Sequence, residues 1–359
     1  MFFSFPGFIV KPVSGVLMSE APQESSFPIK EAREIVKDLL PPSPFVYWAD
    51  FLFHSCLGWG TFYLAVQSEG LPLYRFVFFL ISSFALFRAA IFIHELTHLR
   101  KNTFNVFHVI WNVLCGFPLM IPSFLYQGVH NDHHKRSIYG TEKDGEYFSF
   151  VAEGRKKIIV FVFSSFLVPI FFFIRFAFLT PISRLNEKLR STVLERASSF
   201  SININYRRTR SSLASASLWQ VQETVACLYG WTFLAMVIQG IWPAASLALW
   251  YLVATTLFLT NSLRTLVAHC YRNVGSNTLD FSEQLLDSVN VPGNLFALLW
   301  APVGLRFHAT HHLIPEIPYH SLRKAHRRLS ERFSEKDLYN KTSGTGLCSE
   351  LGRLWREAG

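Results

Sequence analysis

Three short stretches hold eight of the 13 histidines in the chain: HELTH at 94–98, HNDHH at 130–134 and HATHH at 308–312. His94 and His98 are spaced i, i+4. His130, His133 and His134 have the offsets i, i+3, i+4, and so do His308, His311 and His312. On a helix these offsets place the imidazoles on one face, where they can converge on a metal. In a chain with 13 histidines among 359 residues, chance supplies roughly 0.5 HxxxH pairs but only roughly 0.02 HxxHH triplets. The two triplets therefore carry the signal.

His269 stands alone and is added to the set, making nine candidate ligands. Nine imidazoles exceed the four that a tetrahedral zinc takes. Two first-row metals with open positions need about this many. Imidazole suits iron, zinc, copper and nickel alike. The combination of an all-nitrogen donor set, two metals and an apolar surround selects iron, which can bind O2 and oxidise hydrocarbon. Glu95 and Asp132, inside the motifs, are the candidates to accept hydrogen bonds from ring N–H groups and so orient the ligands. His54, His108, His320 and His326 are read as ordinary structural histidines. For His54 a functional pairing with Asp50, one turn earlier in an apolar run, stays open.

The elements that must position these residues are membrane helices. Half of the chain is hydrophobic and 16% is charged, where a soluble chain carries about 25%. The mean hydropathy is +0.24. Disorder is excluded and a soluble enzyme is disfavoured. The 36 phenylalanines suit a lipid-facing surface. The formal charge is +9, and the basic residues fall between apolar runs. That is the positive-inside pattern rather than a nucleic-acid interface. The five cysteines form no CxxC pair, so neither a disulfide framework nor a cysteine zinc site is expected.

The runs predict an all-α integral membrane protein with four spans in two hairpins: 45–66 with 73–93, and 222–240 with 244–262. Segments 104–128 and 158–180 are interrupted by prolines, and the second has basic residues on both flanks. Both are read as re-entrant or interfacial helices. The histidine motifs then share one face, in a cytoplasmic catalytic cap. Residues 1–44 are expected to form an N-terminal cytoplasmic, partly disordered segment. Residues 45–335 would form the membrane domain and 336–359 a C-terminal tail. Residues 1–17 precede a second methionine, Met18, and read as an upstream start or a tail rather than a signal peptide.

HELTH, HNDHH and HATHH, with apolar hairpins between them, resemble the three histidine boxes of the membrane fatty-acid desaturase family. The likeness covers roughly residues 45–335. It includes FHATHHLIPEIPYHSLRKAHRRL, which looks like the bacterial acyl-lipid branch. The resemblance implies a di-iron enzyme, set in the bacterial inner membrane, that uses O2 to desaturate an acyl chain. The substrate would be a fatty acyl lipid, acyl-CoA or acyl-ACP. His94, His98, His130, His133, His134, His308, His311 and His312 would be iron ligands. His269 would be a further one, and Asn261 would act through a water. A separate ferredoxin or cytochrome b5 type donor is expected, since no cytochrome b5 segment is seen. The alternatives are a hydroxylase or carotenoid oxygenase with the same boxes and, more remotely, a zinc protease using HELTH as HExxH. A channel or metal transporter is disfavoured, because these histidines sit at span ends and in loops.

Overall fold

The computed structural model describes residues 27–99, 104–208, 216–275, 277–293, 295–334 and 337–359. The expected N-terminal tail therefore lies outside the described residues up to position 26. Every regular element among the described residues is helical, and β-pairing is limited to isolated bridges such as His269 with Ser288 and Asn290 with Phe307.

A short helix α1 (Ile29–Ile35) leads into α2 (Pro44–Gln67) and α3 (Pro72–His98). Proline in the first turn starts both long helices, where its missing N–H costs nothing. Gly70, at φ +78°, makes the turn between them. The two helices pack closely at Gly58, where a Cβ would lie 2.6 Å from Leu86 Cγ. The second hairpin is α9 (Ala216–Ile238) with α10 (Ala245–Leu266), turned at Gly240.

Between the hairpins, α4 (Asn105–Trp111) runs into a wider turn, Asn112–Gly116, and the chain then reverses through Pro118 and Pro122. The two arms are pinned together: Asn112 Oδ1 accepts from Ser123 N at 2.9 Å, and Asn112 Nδ2 donates to Ser123 Oγ at 2.9 Å. Carbonyls freed at the reversal are capped by indoles. Trp59 donates to Leu114 O at 2.7 Å, and Trp250 donates to Pro118 O at 2.8 Å. The chain reverses on itself at these prolines. The second motif follows on α5 (Val129–His133).

Helices α6 (Arg155–Ser164) and α7 (Val168–Ile174) are bent, with α7 continuing to Ser183, by 52°. They form a broken span or a re-entrant loop. α8 (Glu187–Arg196) is capped by the Asn186 side chain. After α10 come α11 (Phe281–Asp287), α12 (His308–Leu313), α13 (Tyr319–Arg332) and α14 (Leu347–Glu357).

The expected count of four spans is modified. Three helices are long and apolar enough to cross a membrane: Pro72–His98, Ser217–Ile238 and Ala245–Leu266. The bent pair raises the number to four. α2 has the length, at 24 residues, but its apolar character is diluted by Asp50, His54, Ser55 and Thr61. Those polar groups are engaged internally. Arg88 on α3 holds Asp50 through both carboxylate oxygens, at 2.7 and 2.5 Å, and Tyr319 donates to Asp50 at 2.8 Å.

Candidate metal centre

Four elements deliver the nine candidate histidines to one place. α3 ends in the first motif, α5 carries the second, α12 carries the third, and His269 follows the end of α10. They form two sets of four, within each of which the donor atoms lie within 4.8 Å of one another. One set is His94, His98, His130 and His311. The other is His133, His269, His308 and His312.

Two of the three i, i+4 pairs stay together: His94 with His98, and His308 with His312. The i+3 members cross over. His133 leaves its motif for the second set, and His311 leaves its motif for the first. An i+3 residue sits on the other flank of the helical face, so each triplet serves both sets and fixes their separation. His134 belongs to neither set of four. Its Nε2 is 3.1 Å from Nε2 of both His130 and His311, and its ring stacks on His312 at 4.4 Å.

The facing nitrogens are closely spaced. His98 and His130 approach to 2.8 Å, His269 and His308 to 2.9 Å, and His308 and His312 to 3.1 Å. With metal–nitrogen bonds of about 2.1 Å, ligands at right angles lie about 3.0 Å apart, so these spacings fit an ion in each set. Both ring nitrogens of His94 are buried without a hydrogen-bond partner, as is Nδ1 of His308. A buried His94 Nε2 with no hydrogen-bond partner, in an all-imidazole cluster, is consistent with a metal ligand. Burial holds His130, His134, His269, His308, His311 and His312 far below the ordinary imidazole range, which keeps them in the neutral, ligating form.

The opposite ring nitrogens are anchored outward. Nδ1 of His130 lies 2.9 Å from Glu146 Oε1, and Nδ1 of His133 lies 2.8 Å from Asp144 Oδ2. His133 opposes the trend: burial lowers it, but the Asp144, Glu146 and Asp287 carboxylates together outweigh that and raise its pKa. Burial pushes Glu146 up to about 7. His269 Nδ1 contacts the Tyr139 phenol at 2.8 Å, and that phenol donates to Asp287 Oδ2 at 2.8 Å. Tyr147 donates to the other Asp287 oxygen at 3.1 Å. These contacts leave Nε2 facing inward, the division of labour expected of ligating histidines.

The two carboxylates proposed from the motifs are placed differently. Asp132 pairs with Lys135 at 2.6 Å and orients no histidine. Glu95 is 3.5 Å from His94 Nδ1, but it accepts from the Tyr47 phenol and, at 3.2 Å, from Tyr319 N. The next residue on a helix lies about 100° around the axis, so Glu95 reaches His94 only at 3.5 Å while its hydrogen bonds go to Tyr47 and Tyr319. The carboxylates that do serve, Asp144, Glu146 and Asp287, come from a loop and from α11. The only sequence hint was the acidic DGE that follows the second motif. Asn261 lines the adjacent cavity and accepts from Arg264.

The four histidines read as structural have ordinary partners. His54 meets Asp50 at 2.8 Å, His108 meets Ser123 at 2.6 Å, His320 accepts from Ser43 N at 3.1 Å, and His326 meets Tyr339 at 2.9 Å. The third motif is itself tethered: buried Asn290 accepts from Thr310 N at 3.0 Å and donates to Thr342 at 2.9 Å. The C-terminal segment is thereby folded against the site, and Arg353 on α14 reaches His269 O at 3.3 Å.

A cavity of about 550 Å³ opens onto both sets through His94, His269 and His308. Its walls are mainly aromatic and aliphatic, among them Phe87, Phe161, Phe172 and Phe258. The arrangement is a mainly apolar pocket lined at one part by two imidazole clusters, suited to an alkyl chain and metal chemistry.

The chain belongs to the membrane fatty acid desaturase family. The family matches residues 70–343. Among characterised proteins, the chain is 39% identical over 329 residues to a ceramide hydroxylase of Caulobacter vibrioides, covering 91% of this chain and 93% of that one. No solved structure matches the chain.

Proposed function

We propose that this protein is a di-iron lipid hydroxylase, inserting one oxygen atom of O2 into an acyl chain of a ceramide-like lipid. The likeness to the Caulobacter ceramide hydroxylase, end to end at 39% identity, carries this reading. The stoichiometry is C–H plus O2, two electrons and two protons, giving C–OH and water. Two irons in these clusters would supply O2 activation and removal of a hydrogen from an unactivated methylene. His94, His98, His130 and His311 would hold one, and His133, His269, His308 and His312 the other, with His134 between them.

The protein's own work is positional. Asp144, Glu146 and the Tyr139–Asp287 pair hold three of the imidazoles in one tautomer and orientation. The phenylalanine walls keep water from the reacting chain and present it in extended form. Electrons come from a separate ferredoxin or cytochrome b5 type carrier, and the catalytic face is cytoplasmic in a bacterial inner membrane, as the basic loops indicate.

A second reading is acyl desaturation, which the family match favours. It consumes the same O2, electrons and protons, removes two adjacent hydrogens and releases two waters. Zinc proteolysis has little support: Glu95 is occupied by Tyr47 and Tyr319 rather than facing a substrate cleft. Mass spectrometry of ceramides from cells expressing the protein tests the proposal. Product gaining one oxygen is expected. Product lacking two hydrogens would replace it with desaturation, and unchanged lipids from wild type with a supplied donor would refute both.

A further inference from the structure

The cavity contains one charged group at its metal end that the clusters do not use. Lys157 and Arg196 also line the cavity, but both are exposed. Arg264 is different. It lies on α10, only half-buried overall, but its Nε is sealed from solvent and has no hydrogen-bond partner. Its hydrogen bond runs from Nη2 to Asn261 Oδ1 at 2.9 Å. Asn261 is one turn back, toward the middle of the helix.

Arginines near the end of a membrane helix ordinarily snorkel outward to water. Arg264, close to the last residue of α10, reaches the other way. It bonds to Asn261, and both residues line the cavity that His94, His269 and His308 also line. Among the described residues no carboxylate forms an ion pair with it. Nη1, which is not sealed and makes no hydrogen bond among the described residues, is the donor left for a ligand, and a planar fork with such a donor in the lining of an apolar pocket recognises an acceptor oxygen.

We infer that Arg264, braced by Asn261, is the binding site for the carbonyl end of the acyl chain. The inference rests on the lipid-oxidising reading above and narrows it. The ligand carries a hydrogen-bond-accepting acyl oxygen (amide, ester or carboxylate). The hydrocarbon then extends away along Phe161, Phe172 and Phe258. Because the anchor lines the same cavity as His94, His269 and His308 and closely precedes His269 in the chain, the carbon oxidised is one of the first few from the carbonyl and not one in mid-chain. The Asn261 amide orients the guanidinium and is itself a positioning residue.

The test uses full-length, metal-free protein in lipid nanodiscs, so that binding is read apart from turnover. A C16 N-acyl sphingoid base, the matching glycerol ester, the free fatty acid and an alkyl ether lacking the carbonyl are titrated in turn. Wild type should bind at least one carbonyl-bearing lipid tenfold or more tighter than the ether, and the order among amide, ester and acid identifies the carrier. Arg264→Met should bind that lipid and the ether equally. Asn261→Leu should lose part of the preference. Arg264→Lys, which keeps charge without the fork, serves if the methionine variant does not fold, and should keep less than a third of it. Equal wild-type affinity for ether and carbonyl lipids, or an undiminished preference in a folded Arg264 variant, overturns the inference. Failure of lipid oxidation alone would instead strike the hydroxylase reading, since this titration needs no metal.

Discussion

Asp144 Oδ2 lies 2.8 Å from Nδ1 of His133, and with exposures of 0% and 1% neither residue meets solvent. The same carboxylate is fixed in turn, accepting from Gly140 N at 2.9 Å and from Glu146 N at 2.9 Å. A loop residue outside the membrane helices thus sets the tautomer of an imidazole in the second cluster.

Asp144→Asn should therefore weaken metal retention without unfolding the protein. The amide keeps the shape but no longer supports the His133 N–H with a charge. Loss of such a partner costs about 10–100-fold in metal affinity or activity. Metal content after a timed chelator challenge, alongside the helical circular dichroism signal, measures both. Retention equal to wild type would show that the carboxylate does not support the site.

The histidines were legible in the sequence because their spacing is a local property. A helix converts i, i+4 into proximity with no help from the rest of the fold. Their division into two sets was not legible, because it depends on how α5 and α12 face each other across the site. The same limit applies to the supporting groups. Glu95 and Asp132 lie inside the motifs, yet the hydrogen bonds of Glu95 go to Tyr47 and Tyr319 and Asp132 pairs with Lys135. Asp287 reaches His269 through Tyr139, joining residues whose separation along the chain no pattern encodes. The hairpins and the pinned reversal at 112–123 were foreseeable from apolar runs and prolines. The polar load of α2 made the span count ambiguous, since Asp50 is satisfied by Arg88 and Tyr319 rather than by water.

The cap around the third motif should be sensitive to acid. Burial lowers His326 to about 4, against about 6.5 in an unfolded chain. Below pH 6.5 the unfolded state therefore takes up a proton that the folded state refuses. Stability falls as pH drops from 6.5 toward 4, by up to about 3 kcal/mol, and is fully present above 6.5. In metal-loaded protein, where the clustered imidazoles are held by their ions, the thermal midpoint should decline across this interval. His326→Gln should flatten the decline. A decline of equal slope in that variant would assign the effect elsewhere.

Glu223 on α9 holds both Arg175 and Arg190, at 2.5 Å for the latter, and the Glu223 and Arg175 side chains are wholly buried. Arg175 also donates to Ala197 O at 2.9 Å and to Ser198 at 2.8 Å, tying the bent helix to α8 and α9. Glu223→Gln leaves a buried arginine uncompensated and should destabilise the protein by about 3–5 kcal/mol. Denaturation in mild detergent should show this directly. A loss below 1 kcal/mol would mean that water reaches the guanidinium.

The central claim is that two ions sit in two imidazole sets that share their motifs. It is tested most directly by counting metal per chain in detergent-purified wild type, His98→Ala and His312→Ala. Two ions per wild-type chain are expected, with loss in each variant, whichever first-row metal the expression host supplies. One ion per chain that His312→Ala leaves in place would contradict the dinuclear site.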